Sequence, residues 1–320
     1  MRSTAHEAVT RLSAVPDVPS GAQYRISRGI EHATVVEVGA AVREYRVGER
    51  EAFQSYPEHD VSWAFHGAVL LPWPNRVRGG RYAFDGVSFQ LALTEPLQHN
   101  ALHGLTAWQP WSVVHHAVDS VVLRCRLFPS PGYPFQLETV VTYTLTDEGL
   151  GVTTRSVNVG DVVCPYAVGF HPYGSAGGAA AVDECTLSID ASRRLHLDEG
   201  LIPVGSELVE GTQYDFRAGR SLDGRFLDDC FTDVVRDAAG RSWARLARPD
   251  GHVLEMWADE HFGFWQVYSG DALPKTLARR SLAIEPMTAA PNAFQSGDGL
   301  LRLEPGESIT TQWGARLRQL

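Results

Sequence analysis

The sequence predicts an all-β protein built as a sandwich or barrel, and three observations carry that prediction. Period-two alternation recurs along the 320 residues, turn signals punctuate it, and helical periodicity is nearly absent. Residues 120–128, 135–145, 150–157, 252–257, 264–268 and 307–317 all alternate. In 135–145, Phe135, Leu137, Thr139, Val141, Tyr143 and Leu145 interleave with Gln136, Glu138, Val140, Thr142 and Thr144. Successive strand side chains point to opposite faces, so such a run presents one face to a core. Phe84-Asp85-Gly86, Ser130-Pro131-Gly132, Asp147-Glu148-Gly149, Arg248-Pro249-Asp250-Gly251 and Glu304-Pro305-Gly306 mark the turns. Short helices are expected only over 5–14 and 271–279. The Gly174-to-Ala181 run, GSAGGAAA, reads as a mobile surface loop. No linker divides the chain, so 1–320 reads as one domain, with 1–25 as a flexible N-terminal extension.

Composition narrows the function classes. A hydrophobic fraction of 44% supplies an extended core, and 21% charged residues is ordinary for a globular chain. The net charge of −10, with no basic patch, argues against a nucleic-acid partner and favours a neutral ligand. Met1 to Glu7 opens no apolar core of the signal-peptide kind. No stretch reaches the roughly 18 apolar residues of a membrane helix. Cys125, Cys164, Cys185 and Cys230 are widely separated and read as reduced, buried residues. The expected compartment is the cytoplasm, with no membrane partner, and the expected assembly is a monomer or homodimer.

The chain lacks His-Glu-x-x-His, Gly-x-Ser-x-Gly and a phosphate-cradling glycine loop followed by Lys, so no metal and no cofactor is expected. What it carries instead is Asn75-Arg76, Leu102-His103-Gly104, Gly169-Phe170-His171-Pro172-Tyr173 and Ala283-Ile284-Glu285-Pro286-Met287. Two histidines, an arginine and a carboxylate are what acid/base work on a hydroxylated ring requires. From spacing alone, Glu285 reads equally as a rim glutamate or a shielded base. His171, between a glycine and a proline, reads as a structural hydrogen-bonder or an acid.

At these segments the sequence resembles the aldose 1-epimerases, or mutarotases. Asn75-Arg76 runs into the Gly80-to-Gly86 hairpin, and Asn100 precedes His103-Gly104, with Trp108 and Trp111 behind. The Gly169-to-Tyr173 element, Asp228-x-x-Phe231, Gln266-Val267-Tyr268-Ser269-Gly270, the Ile284-to-Phe294 stretch and Leu303-to-Glu307 then follow in the family's order. The resemblance covers about residue 30 to the C-terminus. It implies a large, mostly antiparallel β-sandwich of the galactose mutarotase-like supersandwich kind, with very few short helices and an open cleft. It also implies an isomerase that needs no cofactor.

In that family's terms Glu285 is the catalytic base and His171 the catalytic acid. Arg76 forks onto hydroxyls, His103 contacts the ring oxygen or a hydroxyl, and Asp228 accepts from vicinal hydroxyls. Asn75 and Asn100 brace loops or touch hydroxyls. Phe231, Trp265 and Tyr268 are the candidate apolar platform under the ring. Two positions depart from the pattern, Gly174 after Pro172-Tyr173 and the second acid Asp229, and both are expected near the sugar rim. The activity implied is interconversion of the α and β anomers of a hexose such as glucose or galactose. Alternatives are an epimerase of a phosphorylated or sulfonated hexose, served by Arg78, Arg81 or Lys275, and a non-catalytic sugar-binding protein. A glycosidase using Asp228 and Glu285 is a further alternative.

Overall fold

A computed structural model describes residues 18–60 and 62–320. Two large antiparallel sheets dominate these residues. The first runs in the order Gln23–Arg28, Glu31–Val36, Val42–Val47, Arg50–Phe53, Tyr173–Ser175, Ser281–Met287, Phe264–Tyr268, Asp228–Val234, Ala191–Leu197 and Pro203–Leu208. The second runs Ser112–His116, Ser120–Leu127, Leu137–Thr146, Gly149–Asn158, Ser308–Gln319, His252–Ala258, Ser242–Ala247, Thr186–Ile189 and Arg220–Ser221. Their inner faces pack into one continuous core that includes Tyr143, Val152, Leu254, Trp265 and Trp313. The alternation read from sequence is therefore the alternation between that core and the outside.

The expected helix over 271–279 is instead a run of turns, in which the Leu277 and Ala278 amides both reach the Pro274 carbonyl. Among the described residues the α-helix is the four-residue Ala293–Ser296. The helix expected over 5–14 lies outside the described residues. The first two residues of the expected GSAGGAAA loop, Gly174 and Ser175, are sheet: Gly174 pairs with Phe53 on one side and Leu282 on the other. A Cβ on Gly174 would fall 2.7 Å from Leu254 Cδ2 of the opposite sheet, so the missing side chain lets the sheets approach. No helix among the described residues is long and apolar enough to cross a membrane.

Candidate active site

Register builds the site on the outer face of the first sheet. Gln266 lies opposite Glu285 and Cys230, while Tyr268 lies opposite Asp228 and Ala283. Because side chains alternate, Asp228, Gln266, Tyr268 and Glu285 share one face across three adjacent strands. A one-residue slip would send them all into the core. On the next strand, Gly169 pairs with Met287 and Tyr173 with Ala283. The two four-residue steps match, which sets His171 across from Glu285. There Pro172 still leaves its carbonyl to the Ile284 amide at 3.1 Å.

His171 Nε2 lies 3.3 Å from Glu285 Oε1. Both side chains are buried, and His171 Nδ1 and Glu285 Oε2 have no hydrogen-bond partner among the described residues. Burial pushes the Glu285 carboxyl well above its usual range, with the like charge of Asp228 adding to it and Arg76 opposing. Burial also drives the His171 imidazole down. Both shifts run the same way, so the dry surroundings favour the uncharged arrangement of the pair. Tyr173 stacks on His171 at 5.0 Å and 26°, and Phe65 lies over His103 and His171.

Asn75 and His103 hold each other. The Asn75 amide donates to His103 Nδ1 at 3.1 Å, and the His103 amide donates to the Asn75 carbonyl at 2.9 Å. An Nδ1 that accepts leaves the proton on Nε2 of the neutral ring, so His103 is a fixed donor. Burial, then His171 and Arg76, keep this imidazole far below its ordinary value and hence neutral. The His-Gly pair has a steric cause: Gly104 has φ +74°, and a Cβ there would sit 2.2 Å from the Leu71 carbonyl oxygen.

Arg76 reaches Glu95 through Nε at 3.0 and 3.1 Å and through Nη2 at 3.0 Å, with Asp228 Oδ2 at 3.6 Å. Burial works against the guanidinium, and Glu95 with Asp228 outweighs it, raising its pKa. Gln266 Nε2 donates to Asp228 Oδ1 at 2.6 Å, while Gln266 Oε1 is buried without a partner among the described residues. The Tyr268 hydroxyl accepts from the Ala272 amide at 2.8 Å. Together with Asn75, Leu201 and Phe226 these groups line a cleft of about 340 Å³, within the range of small-molecule sites. His103, His171 and Glu285 also offer ligand atoms within 4.8 Å of one another. With its Nε2 protonated, His103 has no lone pair there for a cation.

The family model for aldose 1-epimerase matches residues 22–314. The chain belongs to the aldose 1-epimerase family. Its relatives that are aldose 1-epimerases or galactose mutarotases are isomerases of the racemase and epimerase class. It is 34% identical over 289 residues to YihR of Escherichia coli (strain K12), covering 90% of this chain and 91% of that one. It is 30% identical over 335 residues to the aldose 1-epimerase of the same organism, covering 92% and 95%. The solved aldose epimerase homologue from C. elegans superposes with a TM-score of 0.83 at 21% identity, covering 93% and 99%, which shows the shared fold.

Within this family framework the cleft gathers Asn75, Arg76, His103, His171, Asp228, Tyr268 and Glu285. It does not gather Trp265 or Phe231. Both sit on the opposite parity of their strands, pair with each other and face the core. Trp265 Nε1 reaches Ser242 of the second sheet at 3.2 Å, and Phe231 packs on Phe216. They are sandwich filling and not a sugar platform. The two departures are also misplaced by sequence reasoning. Gly174 points at Leu254, and Asp229 is ion-paired at 2.6 Å with Arg194, which lies over Tyr214. Neither lines the cleft. Asn100 braces the loop, since its Nδ2 donates to Glu95 and to the Gly200 carbonyl. Arg78 is committed to Asp198, and neither Arg81 nor Lys275 lines the cleft.

The sequence motifs contain Gln266 and Tyr173 without indicating a role for either, and they do not include Glu95 or Phe65. Parity offered a signal for Gln266, two residues from Tyr268 on one strand. Glu95 follows no strand pattern and gave none.

Proposed function

We propose that this chain interconverts the α and β anomers of a neutral aldohexose such as glucose or galactose, by acid/base ring opening between Glu285 and His171. The observation that carries the reading is the 3.3 Å contact of the two groups on the floor of a cleft lined with hydroxyl-binding side chains. The sugar provides what the empty pair lacks. Its C1 hydroxyl donates to the Glu285 carboxylate and its ring oxygen accepts from His171, so binding draws the shared proton onto the imidazole. Glu285 then takes the C1 hydroxyl proton as His171 delivers its own to O5, and the C1–O5 bond breaks. The aldehyde turns about C1–C2, and closure returns both protons. Proton number is unchanged over the cycle, so each turnover ends with the pair ready again. Each acid or base contributes about 10²- to 10⁴-fold. His103 Nε2–H, Arg76, Asp228 and the free Gln266 Oε1 are the hydroxyl partners in this account.

A neutral sugar is favoured because Arg76, the one cationic side chain lining the cleft among the described residues, already faces Glu95 and Asp228. The four cysteines are free and buried, which suits the reducing cytoplasm we propose as its compartment. Polarimetry on freshly dissolved α-glucose and α-galactose tests the activity. The expected result is an enzyme-dependent approach to equilibrium rotation, and rates equal to water across a panel of aldoses would refute it.

A further inference from the structure

One carboxylate would balance the charge of a buried guanidinium, yet Arg76 has two. Asp228 stands at 3.6 Å, and Glu95 makes three contacts at 3.0–3.1 Å. Glu95 is also held in place. Its amide donates to the Asn100 carbonyl at 3.0 Å, the Asn100 amide returns the bond at 3.1 Å, and Asn100 Nδ2 donates to Glu95 Oε2 at 2.9 Å. Glu95 and Asp228 together give the cleft wall more carboxylate than cation. We propose that Glu95 is a specificity-determining residue: by occupying Arg76 it denies that guanidinium to the phosphate or sulfonate of an anionic hexose, so the cleft selects uncharged aldoses. An arriving anion meets a carboxylate where a bidentate cation would otherwise receive it. The inference rests on the neutral-aldose reading above.

The test compares kcat/KM for α-glucose 6-phosphate and α-glucose in the wild type, Glu95→Gln and Glu95→Ala. Glu95→Gln keeps a side-chain acceptor for Asn100 and removes the charge. The ratio of phosphorylated to neutral turnover is expected to rise about tenfold or more, and the gain to shrink with added salt. If Glu95→Gln does not fold, Glu95→Ala is expected to move the ratio the same way. A wild type that prefers glucose, with a ratio unmoved in the variants because both activities fall together, would reduce Glu95 to a structural partner of Arg76. A wild type that turns over glucose 6-phosphate faster than glucose would instead overturn the neutral-aldose reading itself.

Discussion

Glu285 and Glu255 are both buried strand glutamates, 2% and 6% exposed, and they have opposite electrostatic fates. Glu255, on the second sheet, accepts from Arg316 Nε at 2.7 Å and from Arg318 at 2.7 and 2.8 Å, with Arg245 at 3.7 Å. Burial pushes its carboxyl up, and the arginines outweigh burial, so the pKa falls. Glu285 has His171 and an unpartnered oxygen, so nothing outweighs burial and its pKa rises. Burial by itself does not make a base. The functional carboxylate is the one the fold leaves without a committed cation, and that choice sacrifices stability at the site.

The largest effect should follow removal of the uncompensated member. Glu285→Gln keeps the shape and deletes the proton acceptor, so kcat should fall about 10²- to 10⁴-fold while KM changes little. Initial rates by polarimetry over a range of sugar concentrations give both constants. Full activity in this variant would end the assignment of Glu285 as base, and a rise in KM alone would make it a binding group.

The same contrast between two faces explains what the sequence made legible. Alternation in 135–145 and 264–268 is visible because each strand has a core face and an outer face. Which face is the core was not visible for Phe264–Tyr268, where Phe264 and Trp265 are both aromatic, and so Trp265 was assigned to the sugar. Register with Glu285 decides it, and register is a property of strand pairing between residues far apart in sequence. The motifs around His171, His103 and Arg76 were legible because steric demands fix them locally, as at Gly104. Glu95 was not legible, because its role comes from a loop bridge to Asn100. Trp265→Ala should therefore cost about 3–5 kcal/mol of stability as a core truncation, read by denaturant unfolding. A KM increase at unchanged stability would return Trp265 to the cleft.

The smallest expected effect sharpens the pair of glutamates most. Glu255→Gln should lose about 1–2 kcal/mol near neutral pH, because its arginine partners are partly exposed and solvent weakens the pairing. Its kcat should stay at the wild-type value, since it lies on the second sheet, away from the cleft. The pH dependence gives the sign. A carboxyl whose pKa is depressed on folding stabilises above the ordinary carboxylate value of about 4.3, and that contribution fades as pH falls. The Glu255→Gln deficit should accordingly shrink on acidification. Glu285 is raised on folding, so in the wild type it weighs against the fold increasingly as pH climbs above the same value. Glu285→Gln should be at least as stable as wild type at neutral pH, with the difference vanishing in acid. Denaturant midpoints for the three proteins at about pH 4 and pH 7 suffice, and differences of the same sign in both variants at neutral pH would show that the two glutamates are not electrostatic opposites.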